Sequence, residues 1–508
     1  MEQGTPSQTP TADEEKQAGN LTSPRHGASI DGLNEGVPQS DKDANVVHWY
    51  GEDDPENPLN WSTAKKIIIL GNVSFITFLS PLASTVIAPA TADIMAEFHS
   101  TNTTLGSFIT SVYLLGYTFG PLFLAPLSEV YGRSILYNSC NLIFLVFNIA
   151  CAVAPTMGAL IGFRFLAGIA GSCPVTIGAA SISDMVALEK RGAAMSGWVL
   201  GPLIGPVVGP IIGGYLGQAA GWRWVFWLVA IAGGVICLAT LVTMRESSAS
   251  VILHRKAKRL QKETGKYDLR EKSTTNRSPR EQFAFAILRP LKMLIFSPIV
   301  LTLSIYTAVI YGYMYLCFTT FPIIFEQQYG FSQASSGLAY LGIGVGSFFG
   351  LALAGGLSDR TVTRLAARNP GGPKPEYRIP ILTIGAFLVP AGLFWYGWSA
   401  ENKEQYMVPI VGTGLLGGGI VIAVVGTTTY LVDAFTEYSA SAVAAATVLR
   451  SLLGALLPLA GPEMYSSLGV AWGNSLLAFI AVAMIPIPLL FYRFGERIRN
   501  SKFTEIQF

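Results

Sequence analysis

The sequence predicts an all-α polytopic membrane protein: twelve transmembrane helices in two six-helix halves. Three observations lead there. Hydrophobic residues make up 51% of the 508-residue chain and charged residues only 13%, against about 25% charged in a soluble protein. Apolar runs of about 20 residues, enough to cross a ~30 Å hydrocarbon core as a helix, recur along the chain. And the second apolar run ends on a charged cluster that returns 230 residues later. The ten-residue alternating strands of a membrane barrel are not seen.

The elements follow in order. Residues 1–64 are polar, acidic and rich in Gly, Ser, Thr and Pro, so the expectation is a disordered cytosolic tail. Six spans follow within 65–244, at 65–91, 104–126, 134–155, 157–181, 193–217 and 222–244. A polar linker at 245–297 holds thirteen Lys and Arg from Arg245 to Lys292. Six more spans fill 298–492, at 298–325, 334–356, 379–399, 406–432, 440–464 and 470–492. Residues 493–508 form a short C-terminal tail. Basic residues also follow span 8 and crowd the C-terminal tail, while loops on the other side hold only Arg223 and Lys403. The positive-inside rule then puts both termini and the linker in the cytosol. The plasma membrane is the expected site, with the vacuolar membrane as the alternative.

The charged cluster is "SEVYGR", Ser128–Arg133. Setting Phe119 over Phe349 lays "FGPLFLAPLSE" on "FGLALAGGLSD", so Glu129 meets Asp359, with Arg360 next to it. Each copy follows the second span of its own half, which makes a parallel repeat. Glu129 can face the N-terminus of span 11 at Tyr438–Ser441, where a helix dipole favours an anion. Arg133 can pair with Asp184 at the end of span 4. The charges would latch an inner gate; the alternative is that they only anchor the loop and orient the chain.

These residues resemble the signature loop of the major facilitator superfamily, G-x-x-x-D/E-x-x-G-R. Here it reads Ala125, Glu129, Gly132 and Arg133, with Ala at the first Gly and Val130 where a second basic residue is usual. Span 5 is similar to the Gly-Pro motif of proton-driven exporters at Gly205, Gly209, Pro210, Gly213 and Gly214, and Arg164 and Gly168 occupy the family's Arg-x-x-x-Gly places in span 4. "DDPENPLNWS" (Asp53–Ser62), Tyr329–Ser347 and Tyr430–Tyr465 resemble the fungal twelve-span drug:proton antiporters. The resemblance implies export of small hydrophobic organic compounds (drugs, toxins or secondary metabolites) in exchange for protons. An importer or facilitator of sugars or organic acids, and a non-transporting membrane sensor, are the alternatives. No P-loop is present, so direct ATP drive is not expected.

Within the spans, Gly201, Gly205, Gly209 and Gly213 recur every four residues and form a smooth face. Span 8, with Gly342, Gly346 and Gly350, is its expected partner. Arg164 and Arg450 fall near the midplane, where a charge costs at least ~2.5–3.5 kcal/mol and needs a partner or a task. Helix carbonyls would be a structural answer for either. No carboxylate lies at the centre of a span. Asp93, Glu326 and Glu463 lie near outer ends, so Arg164 is expected to tune a water-linked proton path to Asp93 or Glu463. In span 7, Tyr311, Tyr315 and Phe318 share a face that could stack on a planar or cationic substrate; packing is the alternative. Arg450 joins them as a candidate cavity residue. The five cysteines show no metal-ligand spacing. No metal, cofactor, nucleic acid or enzyme activity is expected. The expected partners are a small-molecule substrate, protons and the lipid bilayer, with the chain a monomer.

Overall fold

The computed structural model describes residues 46–51, 53–265, 269–271, 279–368, 374–435 and 438–499. Most of the expected tail, Ser273 of the linker and residues 500–508 lie outside them. Strand among the described residues is confined to Val46–Val47 and Arg270–Glu271.

The helices follow the apolar runs. Spans 1 to 6 are Thr63–Thr85, Thr103–Tyr131, Arg133–Ala152, Met157–Met185 (broken at Ser172), Leu188–Ala220 and Trp222–Thr243. Spans 7 to 10 are Pro298–Tyr329, Leu341–Arg368, Ile379–Glu401 and Met407–Ala434. Side chains set several boundaries. Asn102 accepts from the N–H groups of Thr104 and Leu105, and Thr156 caps span 4 in the same way. Past span 1 a short helix, Thr91–Glu97, completes the crossing.

The last helical stretch, Ser439–Arg499, runs for 61 residues. A straight helix of that length would measure ~90 Å, three times the hydrocarbon core. Gly469 breaks it, with φ +74° and ψ 173°. Across the break Tyr465 Oη bonds Asn474 Oδ1 at 3.1 Å, although nine residues of helix would separate them by ~13 Å. The chain therefore reverses at Gly469, and spans 11 and 12 are two crossings. Glu401 secures the turn by accepting from the N–H groups of Val470 and Ala471 at 2.8 and 3.1 Å.

Packing repeats between the halves. Span 1 packs on 5, 2 on 4 and 3 on 6; in the second half 7 packs on 11, 8 on 10 and 9 on 12. The halves meet where span 2 lies on 11 and span 5 on 8, contacts that the same repeat exchanges.

The glycine faces find other partners than expected. A Cβ on Gly201, Gly205, Gly209 or Gly213 would strike the backbone of span 1 between Thr77 and Val86. Gly342, Gly346 and Gly350 meet span 10 at Ile410, Gly414 and Gly418. Each stripe thus seals a seam inside its own half. Span 8 touches span 5 instead through Gly344 on Val207, and the turn just before it, Gly337–Tyr340, places Gly337 on Pro210 and Ile211. The prolines have a local task as well. Pro210 cannot donate to the Pro206 carbonyl, and the Thr85 hydroxyl does so at 3.0 Å.

The basic end is also more ordered than its composition suggests. Residues 249–264 and 279–296 of the linker are helical. Asp53–Ser62 is folded against the first of these. Asp54 is buried and accepts from the Lys256 ammonium at 2.9 Å and from the N–H groups of Tyr50 and Glu56 at 2.8 and 2.9 Å. Lys256 lies over the Tyr50 ring at 3.5 Å.

Two predictions follow from these seams and this clamp. Gly213→Ala should separate spans 1 and 5, at about 1–3 kcal/mol for an overpacked contact, whereas Gly197→Ala meets nothing within 4 Å and should leave stability unchanged. Thermal unfolding of the purified chain checks both. For the clamp, burial pushes the Asp54 carboxyl up, but the Tyr50 N–H, Lys256 and the Glu56 N–H outweigh it and hold the group below its ordinary range. A depressed carboxyl contributes fully above its unfolded value and fades as pH falls through the folded one. Tryptic cleavage of the linker helix should therefore be slow and constant from pH 8 down to about 5. Asp54→Asn should accelerate it throughout that range.

Candidate functional site

At the basic end, the foot of span 3 is held by side chains from three elements. Arg133 Nε donates to Asp184 Oδ2 at 3.4 Å, and its Nη1 donates to Ser128 Oγ. The Glu246 carboxylate accepts from the N–H groups of Arg133 and Ser134 at 2.9 and 3.3 Å, capping the helix. Gly132 has φ +99°, and a Cβ there would run into Glu246. The glycine of the loop thus serves both the turn and the cap. Glu129 is exposed at the end of span 2 and makes no hydrogen bond or ion pair among the described residues. In this conformation it does not engage the start of span 11.

The second half repeats the arrangement with a different arginine. Arg378 Nε donates to Asp433 Oδ2 at 2.9 Å, while Nη1 donates to Ser358 Oγ at 2.8 Å and to Asp359 Oδ1 at 2.6 Å. The atom roles match those of Arg133, with Asp433 in the place of Asp184 and Ser358 in the place of Ser128. Arg360, chosen from its position beside Asp359, is not the counterpart. It is exposed, unpaired among the described residues, and borders an apolar groove on spans 8 and 10. The offset of 230 fails past Ser358 because the connection from span 8 to span 9 is longer. A sequence signal did exist: Arg378 precedes the apolar run of span 9 as Arg133 precedes that of span 3. Glu246 had no such signal, since only the fold brings it to span 3.

At mid-depth, Arg164 is 1% exposed. Its Nε donates to the Ile109 carbonyl at 2.5 Å, Nη1 to that of Ala83 at 3.2 Å, and Nη2 to those of Ser84 and Thr110 at 2.8 and 3.3 Å. Ala83 and Ser84 lie in the last turn of Thr63–Thr85, where helix carbonyls lack a donor. Gly168, one turn along span 4, lets that helix touch the Tyr113 backbone. The Arg-x-x-x-Gly spacing thus brings the guanidinium within reach of span 2. No carboxylate is among its contacts. Asp93 instead accepts from Gln333 Nε2 at 2.9 Å, joining the halves at the end opposite the basic one. Glu463 is exposed beside a separate polar pocket at that end. The structure does not bring these three together.

Arg450 differs. It is half-buried, its Nε is enclosed without a partner, and its guanidinium makes no hydrogen bond or ion pair among the described residues. It lies 5.0 Å from the centre of the Tyr311 ring. Tyr311 and Tyr315 rings are 5.4 Å apart, Tyr315 and Phe318 5.3 Å. Tyr315 Oη meets Ser84 Oγ of the first half at 3.2 Å, and Gly454 packs on Leu114. The four candidate cavity residues are therefore contiguous and sit where the halves meet. Ser80 bonds both Tyr113 and Tyr117 on the first half's side, at 2.8 and 2.7 Å.

Comparison with known proteins gives this geometry its context. The model of the Major Facilitator Superfamily matches residues 73–458. The chain belongs to that superfamily. The MFS-type transporter penM of Penicillium rubens is 55% identical over 467 residues, 92% of each chain. The MFS transporter cpaT of Aspergillus oryzae is 51% identical, covering 90% of this chain and 92% of its own. The efflux pump radE of Floropilus chiversii is 48% identical, covering 91% and 86%. Among solved structures, the E. coli xylose transporter XylE in a partially occluded inward-open conformation aligns with a TM-score of 0.63 at 15% identity, over 85% of this chain and 98% of that one. A likeness that low in identity speaks for the fold alone. As a member of the superfamily, the chain is a multi-pass membrane transporter and not an enzyme.

In the second half, Arg378 and not Arg360 holds the helix feet. Arg378→Gln would strand Ser358, Asp359 and Asp433, so unfolding should shift down by several degrees. Arg360→Gln should stay within about 0.5 kcal/mol of wild type, as surface changes do.

Proposed function

We propose that this transporter exports small hydrophobic organic compounds, such as drugs, toxins or secondary metabolites, in exchange for protons. It works from the plasma membrane with its basic end and both termini in the cytosol. One observation carries the reading: where spans 1, 2, 7 and 11 meet, a ladder of aromatic rings stands beside an unpaired arginine. Apolar faces suit hydrophobic compounds, and a desolvated cation is retained in a membrane when it has work there. The efflux pump among the relatives and the Gly-Pro motif of span 5 support the outward direction.

The gate supports alternating access. At the far end the halves are tied by Gln333 to Asp93 and by the Ala334 N–H to Gln218 at 2.9 Å. At the basic end Glu129 is unengaged. These contacts support reading the conformation as inward-facing, with the outward-facing one seating Glu129 on the dipole of span 11. Arg133, Asp184, Asp359 and Arg378 hold the helix feet as the halves rock. Arg164 serves coupling by fixing the end of Thr63–Thr85, from which the chain runs on to Asp93. The proton itself is taken by a carboxylate at the far end, Asp93 or Glu463.

Lysine substitutions separate the two arginines. Lys supplies three donors without the planar fork. Arg164→Lys should lower the unfolding temperature and gradient-driven efflux together, because the carbonyls of spans 1 and 2 lose donors. Arg450→Lys should change efflux and substrate preference with stability near wild type. Flux of lipophilic dyes in proteoliposomes, with and without a proton gradient, reads both. Wild-type flux indifferent to the gradient would remove proton exchange from the reading.

A further inference from the structure

The segment Asp53–Ser62 lies outside the site described above and helps build a cavity of about 500 Å³ at the basic end. The cavity lies between this segment, the first turn of span 1, the start of the linker and one face of the helix Ala249–Thr264. Five cations reach it: Lys65, Arg245, Arg255, Lys256 and Arg259. Its two carboxylates are already engaged. Glu56 pairs with Arg259 at 3.2 Å, and Glu246 caps span 3 and accepts from the Ser248 N–H at 2.9 Å. Lys256 is held by Asp54. Set against Asp54, Glu56 and Glu246, the five cations leave a net charge of +2. Lys65, Arg245 and Arg255 have no carboxylate partner among the described residues. Lys65 lies over the Trp61 ring at 3.6 Å, which makes one wall.

The surroundings identify the kind of ligand. Ile67 and Ile68, just past Lys65, are exposed, and so are Leu241 and Val242, just before Arg245. Spans 1 and 6 pack side by side, so these apolar residues face hydrocarbon directly beside the cationic cavity. A positive pocket at that level attracts the anionic headgroups of the leaflet. We propose that the cavity binds the headgroup of an anionic phospholipid. The phosphate sits among Lys65, Arg245 and Arg255, and the acyl chains lie on the exposed faces of spans 1 and 6. The Asp54–Lys256 clamp holds the linker helix so that its cations face the bilayer surface. A soluble phosphate would meet the same three charges but would leave the apolar faces bare.

The test uses the full chain purified in detergent and titrated with dioleoyl phosphatidylserine, dioleoyl phosphatidylcholine or inorganic phosphate. Unfolding temperature and lipid-bound mass are the readouts. Phosphatidylserine should bind and raise the unfolding temperature, and the other two should do neither. Each cation is worth about fivefold in affinity at a membrane surface. Lys65→Gln, Arg245→Gln and Arg255→Gln together should therefore weaken phosphatidylserine by roughly a hundredfold. Arg255→Gln alone, on the exposed linker helix, should weaken it about fivefold and covers the case in which the triple variant does not fold. Lys258→Gln, on the same helix but outside the cavity, should bind as wild type. Equal binding of phosphatidylcholine, or wild-type affinity in Arg255→Gln, overturns the proposal. Saturation by inorganic phosphate as effective as that by the lipid overturns the lipid assignment as well.

Discussion

Direct backbone contact between helices is the constraint on which this structure rests. In a bilayer, apolar side chains gain little by turning from lipid to protein, so helices associate through close packing and internal hydrogen bonds. Span 5 meets span 1 along four glycines, and span 8 meets span 10 along three, at distances no Cβ could share. These seams lock span 1 to span 5 in one half and span 8 to span 10 in the other. In the proposed export cycle, halves locked in this way rock about the contacts between them, span 2 on 11 and span 5 on 8. Had the stripes joined spans 5 and 8, close backbone packing would lie across the surface that the proposed rocking has to open.

Polar groups follow the same logic. Arg164 looks like a charge in need of a counter-ion, but the broken end of span 1 offers carbonyls with no helical donor. The guanidinium and the helix end satisfy each other without a carboxylate. Proline 210 and Thr85 make the same exchange on a smaller scale. Arg450 stands apart because its neighbours are rings and small residues, so nothing local discharges it. At the basic end, Arg133 and Arg378 are bound by equivalent acids and serines in the two halves, which ties the feet of helices two to four, and of eight to ten, into matching clusters.

Much of the fold was legible in the chain. Apolar length marked every span, including both that continuous helical structure merges into 61 residues, because Ser466, Ser467 and Gly469 interrupt the apolar pattern. Basic residues marked one end. The repeat at Ser128 and Ser358 pointed to two halves, and the spacing in span 7 grouped Tyr311, Tyr315 and Phe318, whose successive rings lie 5.4 and 5.3 Å apart. The partner of a glycine face was not legible, since a smooth surface is the same surface whichever helix lies on it. Arg378 was legible only from its place ahead of span 9, because an alignment without gaps cannot follow a loop of different length.

By itself, the sequence determined the twelve spans and which end is basic, since hydropathy and charge bias are local properties that the bilayer reads directly, and its short motifs carried the resemblance to the major facilitator type. The tertiary structure decided which groups meet. It set the glycine seams within halves, spent Arg164 on carbonyls, left Arg450 unpaired among aromatics, and brought Glu246 to span 3 and Asp54 to Lys256. Each of those outcomes depends on contacts between residues tens to hundreds of positions apart. No window along the chain contains both partners, so only the packed helices could choose among them.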